Sequence, residues 1–320
     1  MLRRLTRFWN IVREINLDAI RRRAEAPVRV MVVGDTPERE ATSALLLGEL
    51  RGPQPMLSLI APDQVGRATS HEPADIALLV TRSSEFSDAL ASARDLLVSH
   101  KVPVVTVLAG SFGHRDAFAR RGEHARIVLP SLLSDQTATL AGKLFDAVAP
   151  DTRVALARQF PGLRQPLFEH LIEETSRANA SYAFSTGLAE IVPVLDVPLN
   201  IGDIIVLTKN QAIMAYRIAL AAGKEGKPRD VIGEMAGVLG GSLVFRQVAR
   251  ELVGLVPVVG IIPKVAVAYG GTWAIGRAVA LWATGGGKAT KRSLRQLYAT
   301  GIERGREVAR QISSKSSHAA

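Results

Sequence analysis

The stretch "VRVMVVGDTPEREATSALLL", residues 28–47, decides how the first half of the chain is read. An apolar run ends in Gly34, polar residues follow, and an apolar helical pattern begins near Thr42. A buried strand that runs into a polar loop and then a helix is the opening unit of a parallel sheet. Short apolar runs occur at Val28–Val33, Leu57–Ile60, Ile76–Val80, Val102–Leu108 and Ala125–Leu129. Helical stretches separate most of them, at Thr42–Arg51, Ser84–Ser99 and Leu132–Ala149. The alternation predicts a mostly parallel, doubly wound α/β sheet whose ligand edge lies at the carboxyl ends of the strands, where the loop after Val33 sits.

The order of elements resembles a small bacterial GTPase domain. That resemblance implies a phosphate loop of the form G-x-x-x-x-G-K-S/T, in which backbone amides and a lysine neutralise phosphate and a hydroxyl holds magnesium. Gly34 fits the first position, but Arg39 replaces the second glycine, Glu40 the lysine and Ala41 the hydroxyl residue. Thr42 follows directly, and Pro37 removes an amide from the cradle. Asp63-Gln64-Val65-Gly66 is a literal D-x-x-G after the second run, a pattern that an ordinary turn also produces. The guanine-reading N-K-x-D is absent from "AGSFGHRD". The expectation is a GTPase-like frame with a vestigial loop (Gly34, Arg39, Glu40, Ala41, Thr42), no catalytic residue and no cofactor.

The second half is apolar and helical, so the fold class expected for the whole chain is α/β plus all-α. In Pro198–Ala222 the polar exceptions Asp203, Asn210 and Arg217 are seven apart and share one stripe. They form either a polar seam between packed helices or a functional polar track. Gly233, Gly237 and Gly241 repeat every four residues, as do Ala266, Gly270, Ala274 and Ala278. Two such small faces predict a close helix–helix approach. Full membrane spans are not favoured: Met235–Phe245 is too short and Arg277 interrupts Lys264–Trp282. The segments "VPLNIGDIIVLTKNQAIMAYRIALAAGK", "RDVIGEMAGVLGGSLVFRQVARELVGLVPVVGIIPKVAVAYGGTWAIGRAVALWAT" and "LYATGIERGREVA" resemble an uncharacterised bacterial family, domain of unknown function 697. Its members are found fused to or encoded with GTPases and are often described as membrane proteins. The resemblance implies association with GTPases and membranes and supplies no reaction.

The net charge of +10 is concentrated at the ends. Residues 1–30 hold eight arginines against three acids, and residues 283–320 hold eight Lys/Arg against Glu303 and Glu307. In the N-terminal arm, Leu5, Phe8, Trp9, Val12 and Ile15 recur on one helical face, with Arg3 and Arg7 on the other and Arg4 beside them. The arm reads as an interfacial helix, with Phe8 and Trp9 in the headgroup region and the arginines on anionic lipid, or as a helix packed on the protein itself. Asn16 is placed to cap a second short helix at Leu17. The chain has no cysteine, which suits a reducing compartment and excludes disulfides and thiolate metal sites. The six histidines have no metal-like spacing, and the His114-Arg115-Asp116 group reads as solvated loop. "TGGGK" at 284–288 follows a helix and reads as its stop.

The organisation expected is an arm (1–26), a degenerate GTPase-like domain (27–150), an apolar helical domain (151–285) and a basic C-terminal helix and tail (286–320). The function expected is non-catalytic scaffolding or regulation at the cytoplasmic face of the inner membrane. The partners expected are an anionic membrane surface and a GTPase or a second copy of the chain. An unusual GTPase or ATPase drawing its cation from Arg39 is the alternative. Nucleic-acid binding through the basic ends is a third reading, which the apolar stripe of the arm argues against.

Overall fold

A computed structural model describes residues 14–49, 54–71, 73–113, 120–189, 201–238, 261–285 and 290–319. The chain divides into two compact units, Arg22–Leu167 and Met1–Arg21 with Phe168–Ala320.

The first unit is built on five parallel strands: β1 (Val30–Val33), β2 (Leu57–Ile60), β3 (Ile76–Thr81), β4 (Val104–Ala109) and β5 (Ala125–Leu129), in the order β2-β1-β3-β4-β5. The central strands β1, β3 and β4 are apolar and buried nearly throughout, as a parallel sheet covered on both faces requires. On one face, Met31, Val33, Ala77, Leu79 and Val104 pack with Val65 of α3 (Val65–His71) and with Leu90, Ala93 and Leu97 of α4 (Asp88–Ser99). Ser87 caps α4 by accepting from the Leu90 amide at 3.3 Å. Helices α2 (Thr36–Leu47) and α5 (Thr137–Ala147) pack on β1 and β3 and on β4 and β5. A right-handed crossover from β1 to β2 places α2 on the opposite face.

The expected boundary near residue 150 falls at Leu167 instead. Helix α6 (Pro150–Gln159) and the 3-10 turn Pro161–Leu163 belong to the sheet unit, because the turn lies on the end of α2. A Cβ on Gly162 would stand 2.0 Å from the Leu45 carbonyl oxygen. Gln159 further ties α6 to the lead-in of β1, accepting from the Val28 amide at 3.1 Å and donating to Ala26 O at 2.9 Å.

Helix α1 (Leu17–Glu25) starts where Asn16 predicts, with Asn16 Oδ1 accepting from the Ala19 amide at 3.0 Å. Arg3, Arg4, Arg7, Phe8 and Trp9 lie outside the described residues.

The second unit contains α7 (Arg164–Ala189) from Phe168 onward, α8 (Ile201–Ala221), α9 (Pro228–Val238), α10 (Ile261–Ala283) and α11 (Lys291–Ala319). Helix α10 is apolar nearly all round because it is buried nearly all round; Ile262 and Leu281, near its two ends, are its exposed large side chains. Among the described residues no helix is long and apolar enough to cross a membrane. Gly285, at φ +80°, follows the end of α10 in the left-handed region and supplies the stop that the glycine run predicts.

Among the described residues, the small face of α10 packs on a helix other than α9. Its partner is α11. A Cβ on Gly301 would lie 2.7 Å from the Gly270 carbonyl oxygen, and one on Gly305 would lie 2.5 Å from that of Ala266. Gly233 is exposed, and a Cβ there would meet nothing within 4 Å. Gly237 lies in α9, and Gly241 lies outside the described residues. Ala266 and Ala274 are buried, as the small-face reading requires. The basic C-terminal segment is therefore an integral helix of this unit, held through glycines that the charge reading passed over.

These contacts predict opposite outcomes for two small substitutions. Gly305→Ala forces backbone apart and should destabilise the helical unit by about 1–3 kcal/mol. Gly233→Ala should be neutral or stabilising by up to ~1 kcal/mol. Thermal melts followed by circular dichroism check both, and the reverse order would contradict the α10–α11 packing.

Candidate functional site

In a sheet of this order, ligands are expected where the winding reverses, at the carboxyl ends of β1 and β3. Gly34 follows β1 there, and a Cβ on it would lie 2.4 Å from the Val80 carbonyl oxygen. Its glycine is thus required by backbone packing within the sheet. The chain then enters α2 at once: Asp35 is the N-cap and Thr36 the first helical residue. The polar loop expected before Thr42 is helix instead.

This change of local structure disperses the vestigial set. Arg39 folds along the helix, its Nη2 donating to Thr36 Oγ1 at 2.9 Å. Glu40 is exposed, Ala41 is half-buried and Thr42 faces the core at 0% exposure. A hydroxyl buried in that way cannot present itself to a metal at the sheet edge. Asp63 sits exposed in the 3-10 turn Pro62–Gln64, so D-x-x-G here is the entry to α3. His114, Arg115 and Asp116 lie outside the described residues.

Two residues unforeseen from the sequence occupy the reversal point. Glu38, in the first turn of α2, is 7% exposed, and its carboxylate accepts from Arg82 Nε at 2.5 Å, just beyond β3. A helix N-terminus at this edge favours an anion. Here the protein supplies its own, and the exposed Arg82 neutralises it. The signal was legible, since Asp35-Thr-Pro-Glu38 has the spacing of an N-cap, a first-turn proline and an acid at the third position.

A second charged pair lies within the sheet unit at the start of β5. Arg126 donates from Nε and Nη2 to the two oxygens of Glu123, at 2.8 and 2.6 Å, with both side chains fully buried. The Arg126 guanidinium lies 5.3 Å from the Phe86 ring centroid. Burial pushes the Glu123 carboxyl up. The hydrogen bonds from Arg126 and the Arg120 amide, together with the Arg126 charge, outweigh burial and hold it below the usual carboxylate range.

In the helical unit the stripe of Asp203, Asn210 and Arg217 resolves into a different constellation. Asn210 donates to Asn179 Oδ1 at 2.8 Å, Asn179 donates to Thr272 Oγ1 at 2.8 Å, and Gln211 donates to the same oxygen at 3.0 Å. The Thr272 hydroxyl in turn donates to Ala268 O at 2.8 Å. This satisfied network joins α7, α8 and α10, and of the expected stripe it contains Asn210. Arg217 lies on the same helix, α8, and the side chain of Asp203 is outside the described residues.

Nearby, Tyr269 donates to Glu173 Oε2 at 2.6 Å, while the Arg277 and Arg304 guanidinium groups each lie 5.0 Å from the Trp273 ring centroid. Burial, then the Glu173 contact, pushes the Tyr269 hydroxyl well above the ordinary tyrosine range. Among the described residues no cluster of His, Asp or Glu has the arrangement of a metal site.

No family model matches the chain, and no curated protein matches it.

The buried Glu123–Arg126 pair gives a pH dependence of known sign. Because the folded-state pKa lies below the unfolded value, the contribution is fully present above the unfolded pKa of about 4.3 and is lost as pH falls through the folded value. Glu123→Gln leaves Arg126 buried without its counter-charge and should cost about 3–5 kcal/mol at neutral pH. Urea denaturation at neutral and acid pH checks both statements. A variant as stable as the parent at pH 7 would contradict them.

Proposed function

We propose that the chain is a non-catalytic, membrane-associated scaffold or regulator whose sheet unit is a GTPase-like frame without phosphate chemistry. The observation that carries this reading is the carboxylate of Glu38, set at the N-terminus of α2 and paired with Arg82 where a nucleotide phosphate would otherwise be held. An acid in that position repels phosphate, and the direct passage from Gly34 into α2 leaves no cradle of free amides. Arg39, the cation on which an unusual GTPase or ATPase would depend, is engaged with Thr36.

The membrane half of the reading draws on the two basic ends. Arg292, Arg295, Arg306 and Arg310 are exposed on α11, which suits an anionic surface at the cytoplasmic face of the inner membrane. The likeness to domain of unknown function 697 supplies the expectation of a GTPase partner.

Flotation of the full chain with lipid vesicles, with and without magnesium and GTP, tests the proposal. The expected result is binding to anionic vesicles that salt releases and GTP leaves unchanged. Binding that GTP switches on or off, or equal binding to neutral vesicles at every salt concentration, would overturn it.

A further inference from the structure

Among the described residues no strand or helix pairs with the outer edge of β2, and its donors and acceptors match each other. In a parallel ladder the N–H and C=O of one residue point to the same side of the strand, and successive residues alternate. Val30 N donates to Met56 O at 2.9 Å and Gly34 N to Ile60 O at 3.4 Å, so Met56, Ser58 and Ile60 face β1. Leu57, Leu59 and Ala61 then face away from the sheet. Two of their polar groups are satisfied locally: Leu57 N donates to Pro55 O at 2.9 Å, and Ala61 O accepts from Gln64 N at 2.9 Å. What is left is the Leu57 C=O, both groups of Leu59 and the Ala61 N–H. No hydrogen bond among the described residues engages them.

A second copy rotated about a two-fold axis at Leu59 completes this set. Each Leu59 N–H meets the Leu59 C=O of the other copy, and each Ala61 N–H meets the other's Leu57 C=O. The same register sets Leu57 N–H opposite Ala61 C=O, and these are the two groups already satisfied within the chain. The side chains agree. Met56 is 48% and Leu59 39% exposed, and no charged residue occurs from Gln54 to Pro62, so the pairing opposes no like charges. This edge also lacks the lysine or inward charge that commonly guards an open strand. At the other edge, β5 is buried at every residue but Val128, which is half-buried. A single open edge gives a closed pair instead of a filament.

We infer that β2 is a self-association edge at which two copies of this chain join their sheets across a two-fold axis at Leu59. The inference rests on the strand alone and is independent of the membrane and phosphate readings. Two short strands bury less than the ~1,600 Å² of a standard stable interface, so the dimer is weak and concentration-dependent.

Sedimentation velocity of the full chain over a wide concentration range tests the inference, using Leu59→Lys, Leu59→Glu and an equal mixture of the two. The parent should shift from monomer to dimer as concentration rises. Each variant alone should stay monomeric, because like charges meet at the axis, and the mixture should recover the dimer. Amide exchange in the parent should slow at Leu59 and Ala61 as concentration rises. A parent that is monomeric throughout, variants that dimerise as the parent does, or a mixture that fails to recover the dimer would overturn the inference.

Discussion

A side chain at residue 34 would stand 2.4 Å from the Val80 carbonyl oxygen, and the sheet unit is organised round that missing side chain. With Gly34 fitted against β3, the chain turns from β1 into α2 within two residues. Asp35 is the N-cap and Pro37 falls in the first turn, where a missing N–H costs nothing. The first turn then delivers Glu38 to the point where the winding of the sheet reverses, within reach of Arg82. At the position where sheets of this kind commonly take a ligand stands an internal ion pair, which follows from the early start of one helix.

The helical unit obeys a comparable constraint. Helix α10 is surrounded closely enough that a Cβ on Gly276 would lie 2.6 Å from Ile172 Cγ1, while Gly270 and Ala266 meet the glycines of α11. Within that packing the buried Asn179 and Thr272 are joined in one satisfied network. Such a network favours one register of the helices over its neighbours, because a slip would leave several buried donors without acceptors.

The strands were legible because buried parallel strands are short apolar runs: β2 and β5 have the bounds read from sequence, and β1, β3 and β4 differ by one or two residues. Helix α2 starts before the apolar pattern at Thr42, because Asp35, Pro37 and Glu38 carry an ordinary helix-start signal within the polar residues that precede it. The Glu38–Arg82 contact joins residues 44 apart and has no local pattern. In the helical unit, four-residue spacing identified the small face of α10 but not its partner. Glycine spacing cannot distinguish a packed glycine from an exposed one such as Gly233, and the match at Gly301 and Gly305 lies inside a basic segment.

The direct entry of the chain into α2 is tested most plainly by the backbone chemical shifts of residues 34–47 in the full chain. Helical shifts beginning at Thr36, unmoved by magnesium and GTP, are the predicted result. Loop-like shifts through Ala41 that move on adding GTP would contradict the account.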